Sequence, residues 1–436
     1  MNKKVTLFLL ASIGFTQSAV ATNGYQLTGI GAYQKSLGGA VTAKPGSAMT
    51  AITNPAGMAR IGRRSDFSLE MFMPDRFVDF TASGGERNTS EAEQYGVPAL
   101  GWVAPVNDGS NFHFGGGIFG TSGLGTDYPE TQFSGPAGGN LYFEGYSAIQ
   151  FWQMSPTLAW DANKDLSFGV SLNIDYQSVS FKQAFRADTN SDGQGDATVV
   201  NFDLSRTAQA FGYGISLGTL YNVTKEFTIG ASYKSKQDFS EMKYQLSQGA
   251  IMDVSGMNQL PISGGCDAGG GMKICPAGTY SLDLDFPAMY SLGLAYDVNE
   301  MISLSFDIKQ IEWSSTLKSL DIKGPNGEVI SLPANWDDQT IFALGAEFKV
   351  NYALNLRIGY NQADAPFDAA DTDSNYILPA ATESHYAFGG DYRMNKYWQL
   401  GFHASKAADE TYTSPNTGAK IGLGITTLGI NLGYLF

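Results

Sequence analysis

Residues 166–177 read LSFGVSLNIDYQ, and every second side chain in this stretch is apolar. The apolar members are Leu166, Phe168, Val170, Leu172, Ile174 and Tyr176. Because successive side chains of a β-strand point to opposite faces, this pattern predicts a strand with one apolar face and one polar face. Helical spacing, with apolar residues three and four apart, does not fit the stretch.

The same alternation recurs from about residue 64 to the end of the chain. We expect fourteen strands, at 65–82, 97–106, 111–120, 148–161, 165–182, 199–222, 226–246, 281–298, 301–320, 337–350, 353–362, 384–394, 397–407 and 422–436. An apolar face repeated on so many strands must be buried by lipid or by a second sheet.

Two kinds of connection separate the expected strands. Short turns occur at 298–300, 350–352 and 394–396, whereas long polar loops occur at 83–95, 121–147, 184–198, 247–280, 321–335, 362–382 and 408–420. Short turns at one end and long loops at the other, with an even number of strands, are typical of outer-membrane barrels. We therefore predict an all-β, 14-stranded antiparallel transmembrane β-barrel over residues 64–436.

A soluble β-sandwich or propeller is the alternative fold. Aromatic residues near strand ends, where membrane girdles lie, favour the membrane barrel. They are Trp102, Tyr146, Trp152, Trp160, Trp313, Tyr352 and Trp398.

The composition excludes two other classes of protein. Only 16% of the residues are charged, against about a quarter in soluble domains, and outside residues 5–15 no apolar run approaches the roughly 18–20 residues of a spanning helix. The net charge of −15 and the lack of a basic stretch beyond the N-terminus argue against nucleic-acid binding.

The first 63 residues divide into two segments. Residues 1–21 are expected to be a signal peptide, with Lys3 and Lys4 before an apolar core and cleavage after Ala21; a buried N-terminal helix is the alternative. Residues 22–63 do not alternate, are rich in small residues and carry Asn54-Pro55-Ala56-Gly57. Since fourteen strands enclose more space than side chains fill, we expect this segment to be a hatch, or plug, in the lumen.

The two cysteines predict a local disulfide, and metal binding is not expected. Cys266 and Cys275 lie close together in a Gly-rich loop, as a disulfide pair would in an exported chain. The three histidines, His113, His385 and His403, are scattered singly and do not complete a metal site.

One weak calcium motif lies in a long loop. Asp188, Asn190, Asp192 and Asp196 have the spacing of the first half of a calcium-binding loop, but Val199 stands where the bidentate Glu belongs. We expect neither a metal nor another cofactor to be required.

Several motifs spread over the whole chain resemble one known family. They are Asn23-Gly24-Tyr25-Gln26-Leu27, Gly38-Gly39-Ala40, Asn54-Pro55-Ala56-Gly57-Met58, Val97-Pro98, 103–106, 119–128, Ser155-Pro156, Asp285-Phe286-Pro287, 335–338, 344–345 and the terminal Phe436. With these motifs the chain resembles the FadL family, the long-chain fatty acid and aromatic-hydrocarbon transporters of Gram-negative outer membranes.

The resemblance implies a monomeric, porin-like barrel in the bacterial outer membrane that binds a hydrophobic small molecule and releases it sideways into outer-membrane lipid. It implies a hatch positioned or gated by Asn54, Pro55, Ala56 and Gly57, and recognition of Phe436 by the barrel assembly machinery. The lateral opening would lie at a kink in the third strand, where Gly115, Gly116 and Gly117 permit a bend. Alternatively, these glycines relieve crowding against the hatch.

The substrate class stays open between fatty acids and neutral hydrocarbons such as toluene or xylene. Asp337 stands where fatty acid transporters of the family often carry a basic residue, and a carboxylate there would repel an anion. We expect no enzymatic activity; a lipase-like barrel enzyme and an adhesin are the alternatives of another class.

Overall fold

The computed structural model describes residues 23–134, 139–255 and 259–436. The predicted signal peptide, 1–21 with cleavage after Ala21, lies outside the described residues. In the described part of the chain, no helix has the length and hydrophobicity needed to cross a membrane.

Fourteen antiparallel strands form a closed barrel, as predicted. We number them β1 (Arg64–Asp79), β2 (Tyr95–Pro105), β3 (Phe112–Ser134), β4 (Asn140–Met154 and Thr157–Asp161), β5 (Leu166–Ala187), β6 (Ala197–Asn222), β7 (Phe227–Lys234), β8 (Met289–Asp297), β9 (Ile302–Ile311), β10 (Gln339–Lys349), β11 (Leu354–Gln362), β12 (Ser384–Arg393), β13 (Trp398–Thr413) and β14 (Lys420–Leu435). Each strand pairs with its sequence neighbour, and β14 pairs with β1 from Leu435 opposite Arg64 to Lys420 opposite Asp79. This last pairing closes the wall.

The alternating sequence sorts side chains between the two faces of the wall. On β1, Phe67, Leu69 and Met71 are exposed outward, whereas Asp66 and Glu70 are buried inward. Apolar side chains therefore face the surroundings of the barrel, and polar ones face the lumen, as lipid outside requires.

The third and fourth strands are longer than the sequence predicted. Residues 121–147 were expected to be a long loop, but β3 continues to Ser134 and β4 begins at Asn140. These residues are rich in Gly and Thr, so apolar and polar side chains alternate only weakly. The sequence pattern therefore did not predict a strand there. β4 is also interrupted at Ser155-Pro156, since proline has no N–H to donate to the sheet.

Three other strands are shorter than predicted, because the residues at one end of each belong to a second sheet. Residues 226–246, 281–298 and 301–320 were each expected to be one strand, but β7 ends at Lys234, β8 begins at Met289 and β9 ends at Ile311. The remainder contributes to a separate five-stranded sheet at the long-loop end, which we call the loop sheet. Its strands, in order, are Met242–Leu246, Gly278–Leu282, Ser319–Lys323, Val329–Pro333 and Ile262–Ser263.

Short elements complete the fold. The helices are α1 (Gly31–Ser36), α2 (Thr50–Thr53) and α3 (Ser314–Leu317), with 3-10 turns at Pro55–Ala59, Thr81–Ser83 and Ala369–Ser374. The short strands are Arg87–Thr89, Asp238–Phe239, Ile251–Asp253, Asp267–Gly269 and Met272–Ile274.

The external aromatic residues match the girdle prediction in part. Trp102, Trp160 and Trp398 are about two-fifths exposed on the outer face, whereas Trp313 is fully buried. Trp313 therefore belongs to the interior and not to a membrane girdle. The sequence does not distinguish an interior tryptophan from a girdle tryptophan at this position, because Trp313 lies just after the end of β9.

The predicted cysteine pair lies in the loop region. Cys266 and Cys275 are joined by a disulfide, and both residues are buried. The bond closes the hairpin of Asp267–Gly269 and Met272–Ile274, whose second strand pairs with Ile251–Asp253.

Candidate functional site

Inward-facing residues of the barrel wall hold the backbone of residues 23–63, which we call the lumen segment. On β9, the Asp307 carboxylate accepts hydrogen bonds from the backbone amides of Val41 and Thr42, both at 3.0 Å, and from the Thr42 hydroxyl at 2.7 Å. Lys309, two residues along the same face, donates to the Gly39 carbonyl at 2.6 Å. The charged pair is fully enclosed and fixes residues 39–42 against this wall.

A second set of charges fixes the segment to the opposite part of the wall. On β1, Asp66 accepts from the Ala48 amide at 2.7 Å, and Arg64 donates to the Gly46 carbonyl at 3.0 Å. Lys35 of α1 pairs with Glu70 at 3.1 Å. These buried charged groups have partners both in the segment and in the wall. Removing one partner would leave an unpaired charge in the interior, which is unfavourable.

The Asn54-Pro55-Ala56 motif lies at the junction of the segment with β5 and β6. The Asn54 amide group donates to the carbonyls of Thr42 (2.7 Å) and Thr219 (3.1 Å), and its side-chain oxygen accepts from the Ala56 amide (3.1 Å). A Cβ added at Gly218 would lie 2.1 Å from the Asn54 oxygen. Asn54 therefore caps the Pro55–Ala59 turn and links it to the wall.

Strand β3 leaves β2 partway along its length and pairs with the lumen segment instead. The ladder between β2 and β3 ends at Ala99 and Phe119, although β2 continues to Tyr95 and β3 to Ser134. Beyond this point the Leu27 amide donates to the Thr121 carbonyl, and the Gly123 amide donates to the Tyr25 carbonyl, both at 3.0 Å. The wall strand thus turns inward at residues 120–123.

The structure places this inward bend beyond the glycines that were expected to form it. Gly115, Gly116 and Gly117 remain paired with Val103, Trp102 and Gly101 of β2. A Cβ at Gly115 would lie 2.1 Å from the Trp102 carbonyl oxygen, and one at Gly116, where φ is +131°, 2.2 Å from the Ser155 carbonyl oxygen. These glycines allow close backbone approach opposite the interruption in β4.

A pocket of about 330 Å³ lies where β2 and β3 separate. Its walls come from four neighbouring strands and from Leu27 of the lumen segment. The lining includes Phe72 and Arg76 of β1, Tyr95, Gly96 and Val97 of β2, Gly120, Ser122 and Leu124 of β3, and Ile149, Phe151 and Trp152 of β4. We call this cavity the lateral pocket. Its volume is that of a small-molecule site, and most of its lining is apolar.

One charged side chain enters the lateral pocket. Arg76 is 4% exposed, donates to the Ala92 carbonyl at 3.2 Å and has its guanidinium 5.9 Å from the ring centre of Tyr95. Arg76 is not among the residues predicted from the sequence, although it alternates in register with the inward-facing Phe72, Pro74 and Val78 of β1, and this register points to the lumen.

Aromatic residues enclose the lumen next to this pocket. The ring of Tyr25 lies 4.7 Å from that of Trp313 and 5.7 Å from that of Phe286, and Phe286 lies 4.6 Å from Phe151 of the lateral pocket. Trp313 donates its indole N–H to Gln339 at 2.9 Å. These ring contacts connect Tyr25 of the lumen segment with Phe151 in the wall of the lateral pocket.

Asp337, expected to repel an anionic ligand, lies outside this interior. Its side chain is about two-thirds exposed and pairs with Lys318 at 2.5 Å. Asp337 is therefore not placed to repel an anionic substrate in the interior.

Four other basic residues that a ligand carboxylate could meet are paired or exposed. Lys309 pairs with Asp307, Arg357 with Glu347 and Asp391, and Arg186 with Glu130 and Glu144, while Arg206 is exposed on β6.

The proposed calcium residues are engaged in hydrogen bonds of their own loop. Asp188 accepts from the amides of Ser191 and Gly193, and hydrogen bonds from Thr189 hold the pKa of Asp196 below its ordinary value. Across the described ranges, no group of three or more His, Cys, Asp or Glu side chains is arranged to hold a metal ion. Of the histidines, His403 bonds Glu70 at 3.1 Å, His385 is buried on β12, and His113 is half-buried on β3.

A family model described as "Outer membrane protein transport protein (OMPP1/FadL/TodX)" matches residues 9–427. The chain belongs to this family. As a member with a transmembrane barrel, it is an outer-membrane protein, and its family is one of transport proteins.

Relatives of known sequence and structure agree with this assignment. The chain is 25% identical over 406 residues to a 47 kDa outer membrane protein of Pasteurella multocida, covering 89% of this chain and 88% of the relative. Among solved structures, the fold is similar to the Pseudomonas putida toluene transporter TodX (TM-score 0.73, 22% identity, 95% of this chain and 100% of the other). It is also similar to a Pseudomonas aeruginosa FadL homologue (TM-score 0.68, 18% identity, 94% and 99%).

Proposed function

We propose that this outer-membrane protein takes up hydrophobic small molecules passively, binds them in the lateral pocket and releases them sideways into the bilayer. The observation that carries the proposal is the lateral pocket itself, an apolar cavity at the place where β2 and β3 separate. An apolar solute gains free energy by leaving directly into lipid, whereas a water-filled pore would oppose its passage.

Residues 22–63 act as the hatch in this proposal. Their described part is fixed to the wall by Asp307, Asp66 and Asn54, and Leu27 also lines the lateral pocket. Movement of residues 25–27 would change the pairing with Thr121 and Gly123 and with it the width of the pocket. The Asn54–Gly57 motif positions the other end of the hatch.

Two classes of substrate are compatible with an apolar pocket. Long-chain fatty acids are our first proposal, because Arg76 supplies a cation at the pocket wall. Neutral aromatic hydrocarbons are the alternative, favoured by the fold likeness to the toluene transporter TodX. We propose no chemical step and no cofactor, a monomeric barrel, and recognition of the Phe436 end by the assembly machinery.

A reversible cross-link between β2 and β3 tests the lateral route. A Cβ at Gly120 would lie 2.9 Å from the Val97 side chain, so Val97→Cys together with Gly120→Cys places two thiols across the opening. Oxidation should abolish uptake of labelled oleate and of toluene, and reduction should restore it. The wild-type protein under the same oxidant and reductant controls for its own disulfide between Cys266 and Cys275.

Two outcomes would contradict the proposal. Full uptake by the cross-linked protein would exclude the lateral route. Equal uptake of both compounds by cells with and without the wild-type protein would exclude the transport function.

A further inference from the structure

The connection between β11 and β12 crosses the long-loop end of the barrel. Its two ends are joined, because the Ala363 amide donates to the Glu383 carbonyl at 2.9 Å. Its middle reaches β4, since a Cβ added at Gly145 would lie 3.1 Å from the Ile377 side chain. β4 and β11 are seven strands apart in a wall of fourteen, so they lie on opposite sides of the lumen. We call residues 363–383, which span this distance, the strap.

The middle of the strap is apolar and faces inward. Tyr376, Ile377 and Leu378 are buried. The ring of Tyr376 lies 5.3 Å from that of Phe143 on β4 and 5.4 Å from that of Phe80, which follows β1. Burying these side chains against the far wall removes apolar surface from water and stabilises the crossing.

The strap lies above the lateral pocket on the same face of β4. Phe143 and Gly145, which it contacts, alternate in register with the inward-facing Ile149 and Phe151, which line the pocket. Gly145 and Ile149 are four strand residues apart, or about 13 Å at about 3.3 Å per residue. A solute that approaches the pocket from the long-loop end therefore meets the strap first.

Hydrogen bonds attach the strap to the loops beside it. The Asn375 side chain accepts from the Trp336 indole N–H at 2.8 Å and donates to the Ala334 carbonyl at 2.9 Å. The Asp373 carboxylate accepts from the Ser414 hydroxyl at 2.7 Å. These partners lie before β10 and after β13, on the side of the barrel from which the strap starts.

The charges of the strap are all negative. It contains no Lys or Arg, and its acidic residues are Asp364, Asp368, Asp371, Asp373 and Glu383. Among the described residues, none of these carboxylates pairs with a basic side chain within 4.0 Å, and the nearby Lys318 and Lys406 pair with other carboxylates. Repulsion between like charges opposes the closed arrangement.

The lumen segment is attached differently. Lys35 pairs with Glu70 of the wall at 3.1 Å, and Lys44 pairs with Glu347 at 3.5 Å. Separating such enclosed pairs leaves unpaired charges, whereas releasing the strap breaks hydrogen bonds that water can replace. The strap is therefore the part of the closure that opens at the lower cost.

We propose that the strap is an entry gate at the outer face of the barrel. It swings away about its joined ends, Ala363 and Glu383, to admit an apolar solute to the lateral pocket, and then closes over the solute. The long loops of outer-membrane barrels face the outside of the cell, so this movement controls access from outside. The inference rests on the transport function proposed above and adds its entry step.

A reversible cross-link that holds the strap closed tests the gate. The side-chain oxygens of Asp373 and Ser414 are 2.7 Å apart, so Asp373→Cys together with Ser414→Cys brings two thiols within bonding reach. The matched control is Gln245→Cys with Thr279→Cys, which joins two neighbouring strands of the loop sheet and leaves the strap free. Wild type controls for the native disulfide.

Two measurements are made on each oxidised and reduced protein. The first is the initial rate at which cells take up labelled oleate and labelled toluene from outside. The second is equilibrium binding of the same compounds to the full chain in phosphatidylcholine nanodiscs, where the compounds also reach the lateral pocket through the bilayer. Heat-sensitive mobility on gels confirms that each barrel is folded.

Oxidation of the strap variant should lower uptake of both compounds at least about tenfold, and reduction should restore it. Binding in nanodiscs should stay within about twofold of the reduced protein, because the cross-link closes the entrance and leaves the pocket unchanged. The control cross-link should alter neither measurement.

A second variant loosens the strap and does not need a cross-link. Asn375→Ala removes the hydrogen bonds to Trp336 and Ala334. Hydrogen exchange of residues 364–382 should become faster, while uptake should equal or exceed that of wild type. If the cysteine variant does not assemble, this variant still tests the gate.

Four results would contradict the inference. Unchanged uptake by the cross-linked strap would exclude the gate and leave the transport function intact. Equal loss of uptake and of nanodisc binding would show that the strap shapes the pocket and does not control entry. Uptake well below that of wild type in folded Asn375→Ala would show that a fixed strap is required. If wild-type cells take up neither compound, the proposed function itself fails, and the gate with it.

Discussion

The Leu27 amide donates a hydrogen bond to the Thr121 carbonyl at 3.0 Å, so a wall strand of the barrel pairs with the lumen segment. This contact spans 94 positions in the sequence. It accompanies the separation of β3 from β2 beyond Ala99 and Phe119, and the lateral pocket lies in the space so formed. The pairing of Leu27 with Thr121 and the separation of β2 from β3 are therefore parts of one structural unit.

Filling the mouth of the lateral pocket should lower uptake without disturbing the barrel. Gly96 lines the pocket, and a Cβ there would meet no atom within 4 Å, so Gly96→Trp starts a bulky side chain in open space at the pocket. We expect oleate uptake by cells to fall several-fold. Gly139→Trp, at another position with open space around the Cβ, should leave uptake unchanged. Equal uptake by both variants would argue against passage at Gly96.

A methyl group at Gly218 should displace the Asn54 motif. Because the added Cβ would lie 2.1 Å from the Asn54 side-chain oxygen and 2.8 Å from Pro55, Gly218→Ala should cost about 1–3 kcal/mol in the free energy of unfolding. The measurement is denaturant unfolding in lipid vesicles. Gly96→Ala, which adds the same group in open space, should stay within about 0.5 kcal/mol of wild type. If the two variants were equally stable, the contact with Asn54 would be unimportant.

Removing the Asp307 charge should loosen residues 38–44 of the lumen segment. Asp307→Asn weakens three hydrogen bonds from Val41 and Thr42 and leaves Lys309 without its carboxylate, which we expect to cost about 2–4 kcal/mol. Hydrogen exchange of these residues should become faster. Asp337→Asn, which removes an exposed partner of Lys318, should change stability by less than about 1 kcal/mol. Unaltered exchange in Asp307→Asn would contradict the anchoring role.

Loss of the disulfide should affect the loop and not the barrel. Replacing Cys266 and Cys275 together by serine removes a closed loop of about ten residues, for which chain entropy predicts a loss of about 2–3 kcal/mol. We expect faster proteolysis within 247–280 and unchanged folding of the barrel on gels. Proteolysis at the wild-type rate would show that the loop is held by its strand pairing alone.

The loop before β12 should become less stable as the pH rises. Burial raises the pKa of Glu383 to about 7, while its carboxylate accepts a hydrogen bond from Tyr412. Since the folded state then binds more protons than the unfolded state between about pH 4.5 and 7, its stability falls across this window as the pH increases. Limited proteolysis of 363–382 should accordingly accelerate from pH 5 to pH 8. Glu383→Gln should remove this dependence, whereas Glu300→Gln, in an exposed turn, should preserve it.

The alternating strands were predictable because their physical cause is local. On β5, for example, the residues that read LSFGVSLNIDYQ divide between a lipid-facing and a lumen-facing side whatever their neighbours are. The count of fourteen strands and the closure follow from repeats of the same signal, whereas the family resemblance rests on short motifs such as Asn54-Pro55-Ala56-Gly57-Met58. The bounds of β3 and β4 were predicted too short, because Gly, Thr and Ser weaken the alternation there. The bounds of β7, β8 and β9 were predicted too long, because the residues next to them form a second sheet with the same side-chain period.

The sequence alone therefore determined the barrel, its fourteen strands and the outward apolar face, because side-chain period is a property of the chain itself. Only the tertiary structure decided where β3 bends, since the bend depends on Thr121 and Gly123 exchanging a wall partner for Leu27 and Tyr25. It also decided which charges have partners. The sequence does not show the environments of the charged residues Asp337 and Arg76. In the folded protein, Asp337 is paired with Lys318 in solvent, whereas Arg76 is buried beside an apolar pocket.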